Sequence, residues 1–164
     1  MTKENLIAGL NQDLAAELGT VIRYTYQAAK CYGLQGAELR ELLAKEALDE
    51  LGHAAYLMDV IQDLGGEPTT TPKQFEKPAD LKGMIALNVQ MEAEDVANYL
   101  AHSELAGQLK LPELRMKLEE MAADEAGHGP GHVLGEGERL LPPGRQVRAA
   151  LVALAVVTGD GDQA

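Results

Sequence analysis

The chain is poor in several residue types that would point to other classes of protein. Among its 164 residues are one cysteine, Cys31, no tryptophan and one phenylalanine. A single cysteine excludes an intramolecular disulfide framework and a thiolate metal cluster of the C-x-x-C type. The chain has no apolar run of roughly 18 residues or more, and its first ten residues, MTKENLIAGL, lack the apolar core of a signal peptide. We therefore expect a cytoplasmic protein that does not span a membrane.

Basic residues are also in the minority. The chain has 14 Lys and Arg against 26 Asp and Glu, a formal net charge of −12, and its basic residues are scattered. This charge disfavours nucleic acid as a partner and favours cations. What the chain does have is an apolar fraction of 46%, with helix-forming Leu, Ala, Glu and Met prominent. The composition predicts a single all-α domain.

Apolar residues with the three-and-four spacing of amphipathic helices occur in four segments, at residues 4–32, 36–64, 80–108 and 112–128. Asp80 is a good N-cap for the third segment. Residues 66–79 contain prolines and a threonine run but no periodicity, which predicts a long crossover between two helical pairs. We therefore expect a four-helix bundle with a long connection between its second and third helices.

The sequence changes character after His128. The stretch GPGHVLGEGERLLPPG is rich in glycine and proline and should end the fourth helix. Residues 145–157, RQVRAALVALAVV, could then form a short apolar fifth helix, covered by a partner subunit. We thus divide the chain into a bundle at residues 1–128 and an irregular tail at 129–164.

Polar residues, rather than core leucines, repeat between the two halves. DELGH at 49–53 returns as DEAGH at 124–128. The same spacing of 75 positions relates four residues to four others: Glu17, Tyr24, Glu50 and His53 match Glu92, Tyr99, Glu125 and His128. Such a repeat predicts two half-sites related by a pseudo-twofold axis.

The repeated acids and histidines fall on the inward faces of the predicted helices. Glu50 and His53 lie three positions apart on one helix and can hold one ion together, as can Glu125 and His128. No Lys or Arg is expected on these faces. Because desolvating an unpaired carboxylate costs several kcal/mol, we expect two divalent metal ions to neutralise the four carboxylates.

Six metal ligands are predicted in all: Glu17, Glu50, His53, Glu92, Glu125 and His128. Oxygen and imidazole ligands without sulfur favour Fe or Mn, and Zn could occupy the same site. Tyr24 and Tyr99 could hydrogen-bond a ligand or supply an electron, or could be ordinary core tyrosines. Glu94, His102 and His132 are expected on the surface.

Four stretches resemble motifs of the ferritin-like di-iron carboxylate superfamily, with bacterioferritins the nearest: AAELGTVIRYTYQA, DELGHAAYLMDVIQDLGGEP, QMEAEDVANYLAHSELA and LEEMAADEAGHG. The resemblance covers about residues 3–128 and implies a ferritin-like four-helix bundle. It further implies that Glu50 and Glu125 bridge two irons and that Glu17 and Glu92 are terminal ligands. The histidines, His53 and His128, would complete one iron each.

The same resemblance implies a ferroxidase. Two Fe(II) ions per chain would be oxidised to Fe(III) by O2 or peroxide, and the product stored inside a homo-oligomeric shell of about two dozen chains. Tyr24 lies where the family keeps a tyrosine beside the site, and Glu46 matches an outer carboxylate on the route of the iron. Leu51 replaces the methionine of haem-binding members, so we expect no haem. The GPGH stretch interrupts a helix that continues in the family, which leaves shell assembly open.

Two other functions remain as alternatives. A small di-iron oxidoreductase that reduces peroxide or O2, like rubrerythrin, would keep the site without storing mineral. The lack of a C-x-x-C pair for a rubredoxin-type electron relay disfavours it. A DNA-protecting shell of the starvation type ranks last, because such shells lack paired E-x-x-H motifs and this chain has no basic tail.

Overall fold

The computed structural model of the chain describes residues 2–128, apart from the side chains of Leu34, Gln35 and His128. This part contains four helices and no strand: α1 (Lys3–Lys30), α2 (Leu34–Asp63), α3 (Leu81–Gln108) and α4 (Pro112–His128). The predicted all-α bundle of four helices, with a long connection between the second and the third, is confirmed. None of the described helices is long and apolar enough to cross a membrane. The tail at 129–164, with the fifth helix predicted at 145–157, lies outside the described residues.

The ends of the helices follow from local sequence. The side chain of Thr2 accepts a hydrogen bond from the backbone N–H of Asn5 and so caps α1. Oδ1 of Asp80 accepts one from the N–H of Gly83 at 2.7 Å, which confirms Asp80 as the N-cap of α3. Pro112 is the first residue of α4, where its missing N–H is not needed.

The apolar core is divided between the two ends of the bundle. The larger cluster lies where α1 and α4 begin and includes Leu6, Leu10, Leu14, Leu57, Ile61, Leu118 and Met121. The smaller cluster lies near the turn between α1 and α2 and consists of Tyr24, Ala28, Cys31, Leu43 and Ala47. Between them, the middle of the bundle is left to polar side chains.

The predicted long crossover between α2 and α3 is present, and it lies along α1. The backbone N–H of Thr69 donates to Oδ1 of Asn11, and that of Lys73 donates to the carbonyl of Ala15 at 2.6 Å. The crossover and α1 therefore run in the same direction. Gly19 permits this close approach, because a Cβ there would lie 2.5 Å from the carbonyl oxygen of Lys73. The crossover returns the chain so that α3 runs antiparallel to α1.

Four polar pairs join α1 to α3: Asp13 with His102, Glu17 with Tyr99, Tyr24 with Glu92, and Gln27 with Asn88. We call this row of contacts the α1–α3 seam. Residue numbers rise along α1 as they fall along α3, as antiparallel helices require. The spacing of 75 positions converts each pair into another pair of the seam, so the contacts have the twofold relation that the sequence repeat predicts.

Candidate metal centre

Four of the six predicted ligands meet in the middle of the bundle. Glu17 of α1, Glu50 and His53 of α2, and Glu125 of α4 each offer one potential ligand atom, and these atoms lie within 4.8 Å of one another. All four residues are buried. Three helices therefore direct carboxylate and imidazole groups at one small volume of the core.

His53 lies at the centre of this cluster. Its Nδ1 lies 3.1 Å from Oε1 of Glu125, 3.2 Å from Oε2 of Glu50 and 3.7 Å from Oε1 of Glu17. Burial by itself would lower the pKa of His53, but the hydrogen bonds that its imidazole donates to the three carboxylates raise it to about 12. An arrangement in which three carboxylates converge on one nitrogen is stabilised by a cation, whether a proton or a metal ion.

The carboxylates also destabilise one another as anions. Burial raises the pKa of Glu17 well above its usual value, and the charges of Glu50 and Glu125 add to the rise against the hydrogen bond from His53. A divalent ion would remove this repulsion directly. The donor set of carboxylate oxygens and imidazole nitrogen, without sulfur, fits Fe or Mn and accommodates Zn.

Asp124 lies next to His53, on the side opposite the clustered carboxylates. It was not among the site residues predicted from the sequence. Its Oδ2 lies 3.6 Å from Nε2 of His53, the nitrogen facing away from the carboxylates, and its side chain is half exposed. A carboxylate in this position orients a ligating imidazole. The sequence contained the signal, because an aspartate precedes the glutamate in both DELGH and DEAGH. The repeat gives Asp49 the corresponding position.

The two tyrosines hold carboxylates across the seam. The hydroxyl of Tyr99 donates to Oε1 of Glu17, and that of Tyr24 donates to Oε1 of Glu92. Burial raises the pKa of Tyr99 well above its usual value, and the charge of Glu17 adds to the rise, so the phenol stays protonated and able to donate. Glu92 is buried but is not one of the four clustered residues. The side chain of His128, the sixth predicted ligand, lies outside the described residues.

The prediction that no Lys or Arg lies on the inward faces is wrong. Arg23 of α1 is fully buried, and its guanidinium carbon lies 5.0 Å from the centre of the Tyr24 ring. Burial lowers the pKa of Arg23, while the charges of Glu92 and Asp95 oppose that change. The repeat gave no hint of this residue, because it relates Arg23 to the exposed Asn98.

The surface assignment of His102 is also wrong. Its Nδ1 lies 2.6 Å from Oδ2 of Asp13, and its side chain is largely buried. Gly9 makes room for the ring, since a Cβ there would lie 2.5 Å from Nε2 of His102. Glu94 is exposed as predicted and pairs with Lys73 at 3.2 Å. His132 lies outside the described residues.

Comparison with known proteins identifies the family. Residues 7–129 match the family model for the ferritin-like domain. The chain belongs to the ferritin-like family. It is similar to a solved structure of ferritin-like, diiron-carboxylate proteins from Bacillus anthracis str. Ames, with 39% identity, 78% of this chain and 94% of that chain covered, and a TM-score of 0.76.

Bacterioferritins share the ferritin-like fold of this chain. One from Desulfovibrio desulfuricans, solved with its diiron site in different catalytic states, is 20% identical over 99% of this chain and 94% of that chain, with a TM-score of 0.73. One from Rhodobacter capsulatus, with a metal-free dinuclear site and haem iron, is 18% identical over 95% and 88% of the two chains, with a TM-score of 0.73. These two likenesses concern the fold. No curated protein matches the chain.

Proposed function

We propose that this ferritin-like protein is a ferroxidase that binds two Fe(II) ions per chain and oxidises them to Fe(III) with O2 or peroxide. The observation that carries the proposal is the buried cluster of Glu17, Glu50, His53 and Glu125, whose ligand atoms lie within 4.8 Å of one another. Two irons held side by side supply two electrons to one oxidant molecule, which avoids the release of one-electron oxygen radicals.

The positions of the carboxylates support a division of roles. Glu50 of α2 and Glu125 of α4 belong to different half-sites of the repeat, yet both contact Nδ1 of His53. We assign them as the bridging ligands. Glu17 and Glu92 would be terminal ligands, each kept in place by a tyrosine hydroxyl from the opposite helix of the seam. His53 and His128 would each complete one iron.

The route of iron to this centre would pass Glu46. This residue lies one helical turn before Glu50 on α2 and is almost fully buried. Its carboxylate would receive incoming Fe(II) ahead of the bridging ligands. Asp124 would hold the imidazole of His53 in a fixed orientation from the half-exposed side.

Storage of the product requires an oligomer, and the outer surface supports one. Ile22, Leu48 and Leu51 of α1 and α2 are 48%, 68% and 52% exposed, and large apolar side chains left on a surface favour association with another copy. We propose a homo-oligomer, with a shell of about two dozen chains as the storage form.

Residues 1–128 would form the wall of the shell and residues 129–164 a separate tail. With leucine at position 51, we propose no haem at this interface.

A second candidate function is a small di-iron oxidoreductase without storage. One observation favours it: the relative from Bacillus anthracis matches over 94% of its own chain but only 78% of this one. The likeness is thus accounted for largely by the bundle, and the bundle alone contains the clustered ligands. In this case the chemistry would be the same, and only the assembly would differ.

Oxidation kinetics and native mass test these proposals together. Fe(II)-loaded protein mixed with O2 or H2O2 should form Fe(III), and Glu50→Ala or Glu125→Ala should abolish the rapid phase. Glu94→Ala is the matched control, because Glu94 is an exposed acid on α3.

The native mass from light scattering gives the number of chains in the assembly. A mass of about two dozen chains supports storage, and that of a dimer or tetramer supports the small oxidoreductase. Unchanged oxidation in both alanine variants of the cluster would refute the proposed site.

A further inference from the structure

The repeat relates the paired positions of the α1–α3 seam, but the residues at the middle of the seam are not equivalent in the two halves. The repeat relates Thr20 to Asp95 and Arg23 to Asn98. Arg23 is 0% exposed and Asp95 is 5% exposed, whereas Asn98 lies on the surface. One side of the metal centre therefore carries a buried cation and a buried acid that have no counterpart on the other side.

The register of the seam places these two groups close together. Between the Glu17–Tyr99 and Tyr24–Glu92 pairs, antiparallel packing puts Asp95 level with Thr20. Nη2 of Arg23 donates to Oγ1 of Thr20 at 3.3 Å, so its guanidinium lies at the same level. Burial raises the pKa of Asp95 to about 7, and the charges of Lys73 and Arg23 oppose the rise.

Arg23 and Asp95 nevertheless do not pair directly. Nε and Nη1 of Arg23 and Oδ1 of Asp95 find no hydrogen-bond partner among the described residues. A buried polar group left unpaired costs about 1–3 kcal/mol, and more when it is charged. Donors on one side and an acceptor on the other suit a small molecule that can both accept and donate hydrogen bonds.

We propose that Arg23 and Asp95 bind hydrogen peroxide beside the metal centre, which rests on the proposed ferroxidase function. The Arg23 guanidinium donates to a peroxide oxygen, and a peroxide O–H donates to Oδ1 of Asp95. O2 has no O–H group and gains nothing from this pair. An anion would be repelled by Asp95 and by the neighbouring carboxylate of Glu92.

The bound peroxide then takes one electron from each of two Fe(II) ions. Its O–O bond breaks, two protons from solvent complete two water molecules, and two Fe(III) ions remain. Arg23 and Asp95 hold the oxidant beside the metal ligands and contribute no electrons. Because the pair occurs on one side of the pseudo-twofold axis, the oxidant approaches the two irons from a single direction.

The first test is structural and needs no turnover. Crystals of the Zn(II)-loaded protein are compared before and after soaking in H2O2. Zn(II) is used because it cannot give an electron to peroxide. The proposal predicts density for a two-oxygen molecule within hydrogen-bond distance of Nη1 or Nε of Arg23 and of Oδ1 of Asp95. A single ordered water that peroxide does not replace, or a direct Arg23–Asp95 ion pair, overturns it.

The second test compares oxidants in variants that still bind metal. Arg23→Gln and Asp95→Asn should each lower the ratio of the peroxide-driven to the O2-driven oxidation rate by roughly ten- to a hundredfold, the effect of losing a hydrogen bond to a charged group. Asn98→Ala, the position that the repeat relates to Arg23, is the control and should keep the wild-type ratio. A ratio that stays constant in both variants overturns the proposal.

Failure of this proposal is distinct from failure of the proposed function. If the protein binds two metal ions but oxidises no Fe(II), the ferroxidase is refuted, yet the soaked Zn(II) crystal still reports on the peroxide site. If oxidation proceeds and the soaked crystal shows no peroxide between Arg23 and Asp95, the oxidant subsite alone is refuted.

Discussion

Tyr99 of α3 donates a hydrogen bond to Oε1 of Glu17 on α1, 82 positions away in the sequence. The repeat-related residues do the same in the opposite direction, Tyr24 donating to Glu92. Each half of the chain thus fixes a carboxylate that belongs to the other half. The centre therefore depends on the packing of both halves, and neither half can build it alone.

Tyr99→Phe should weaken the centre without removing it. The substitution leaves the ring in place but frees Oε1 of Glu17 from its donor. We expect metal affinity to fall by roughly tenfold or more, as for other residues that orient a ligand. Isothermal titration with Zn(II) measures this. Tyr32→Phe, at a side chain that is 85% exposed, is the control. Equal affinity in the wild type and Tyr99→Phe would show that the hydrogen bond does not position Glu17.

Asp124→Asn should also lower metal affinity, because it removes the charge behind His53. A loss of roughly ten- to a hundredfold is expected. Asp59→Asn is the control, because Asp59 is an exposed aspartate on α2. Competition with a chelator of known affinity would reveal the difference. If both variants bind Zn(II) as tightly as the wild type, Asp124 has no orienting role.

Gly19→Ala should destabilise the fold through the crossover. Its Cβ would lie 2.5 Å from the backbone carbonyl oxygen of Lys73, and backbone cannot move aside cheaply. We expect a loss of about 1–3 kcal/mol in the free energy of unfolding. Gly52→Ala is the matched control on α2, since a Cβ there meets nothing within 4 Å. It should stabilise the protein by roughly 0.5–1 kcal/mol. The same stability change in both variants would contradict the close approach at Gly19.

Asp95→Asn should stabilise the metal-free protein at high pH. Burial raises the pKa of Asp95 from 3.8 to about 7, with Glu125 and Asp13 adding to the rise against Lys73 and Arg23. Between about pH 4 and pH 7 the folded protein keeps a proton that the unfolded chain has lost, so stability falls as pH rises.

The asparagine variant does not carry this pH-dependent cost. Its gain over the wild type should grow by on the order of 2 kcal/mol from pH 4 to pH 8. Urea unfolding at the two pH values, in the presence of a chelator, gives the difference. A gain that is independent of pH would place the ionisation of Asp95 near its ordinary value.

The sequence was sufficient to predict the four helices, the crossover and the cluster formed by Glu17, Glu50, His53 and Glu125. Helical periodicity is local, and the repeated acids and histidines mark the inward faces twice, so each half supports the assignment of the other. The long α3 begins at Leu81, one residue after the predicted cap.

The residues that sequence reasoning missed depend on contacts between distant helices. His102 was assigned to the surface, but it pairs with Asp13, 89 positions away. Arg23 was overlooked because charged residues on helices are usually solvated and its partner in the repeat is exposed. The burial of Asp95 was not predictable either. It results from the antiparallel packing of α1 against α3, which no local pattern in the sequence records.

An anaerobic titration of the protein with Fe(II) tests the dinuclear centre most directly. We expect saturation at two Fe(II) ions per chain, with Glu50→Ala and Glu125→Ala binding fewer and Glu94→Ala binding two. Saturation at one ion per chain, or no binding at all, would contradict the dinuclear centre.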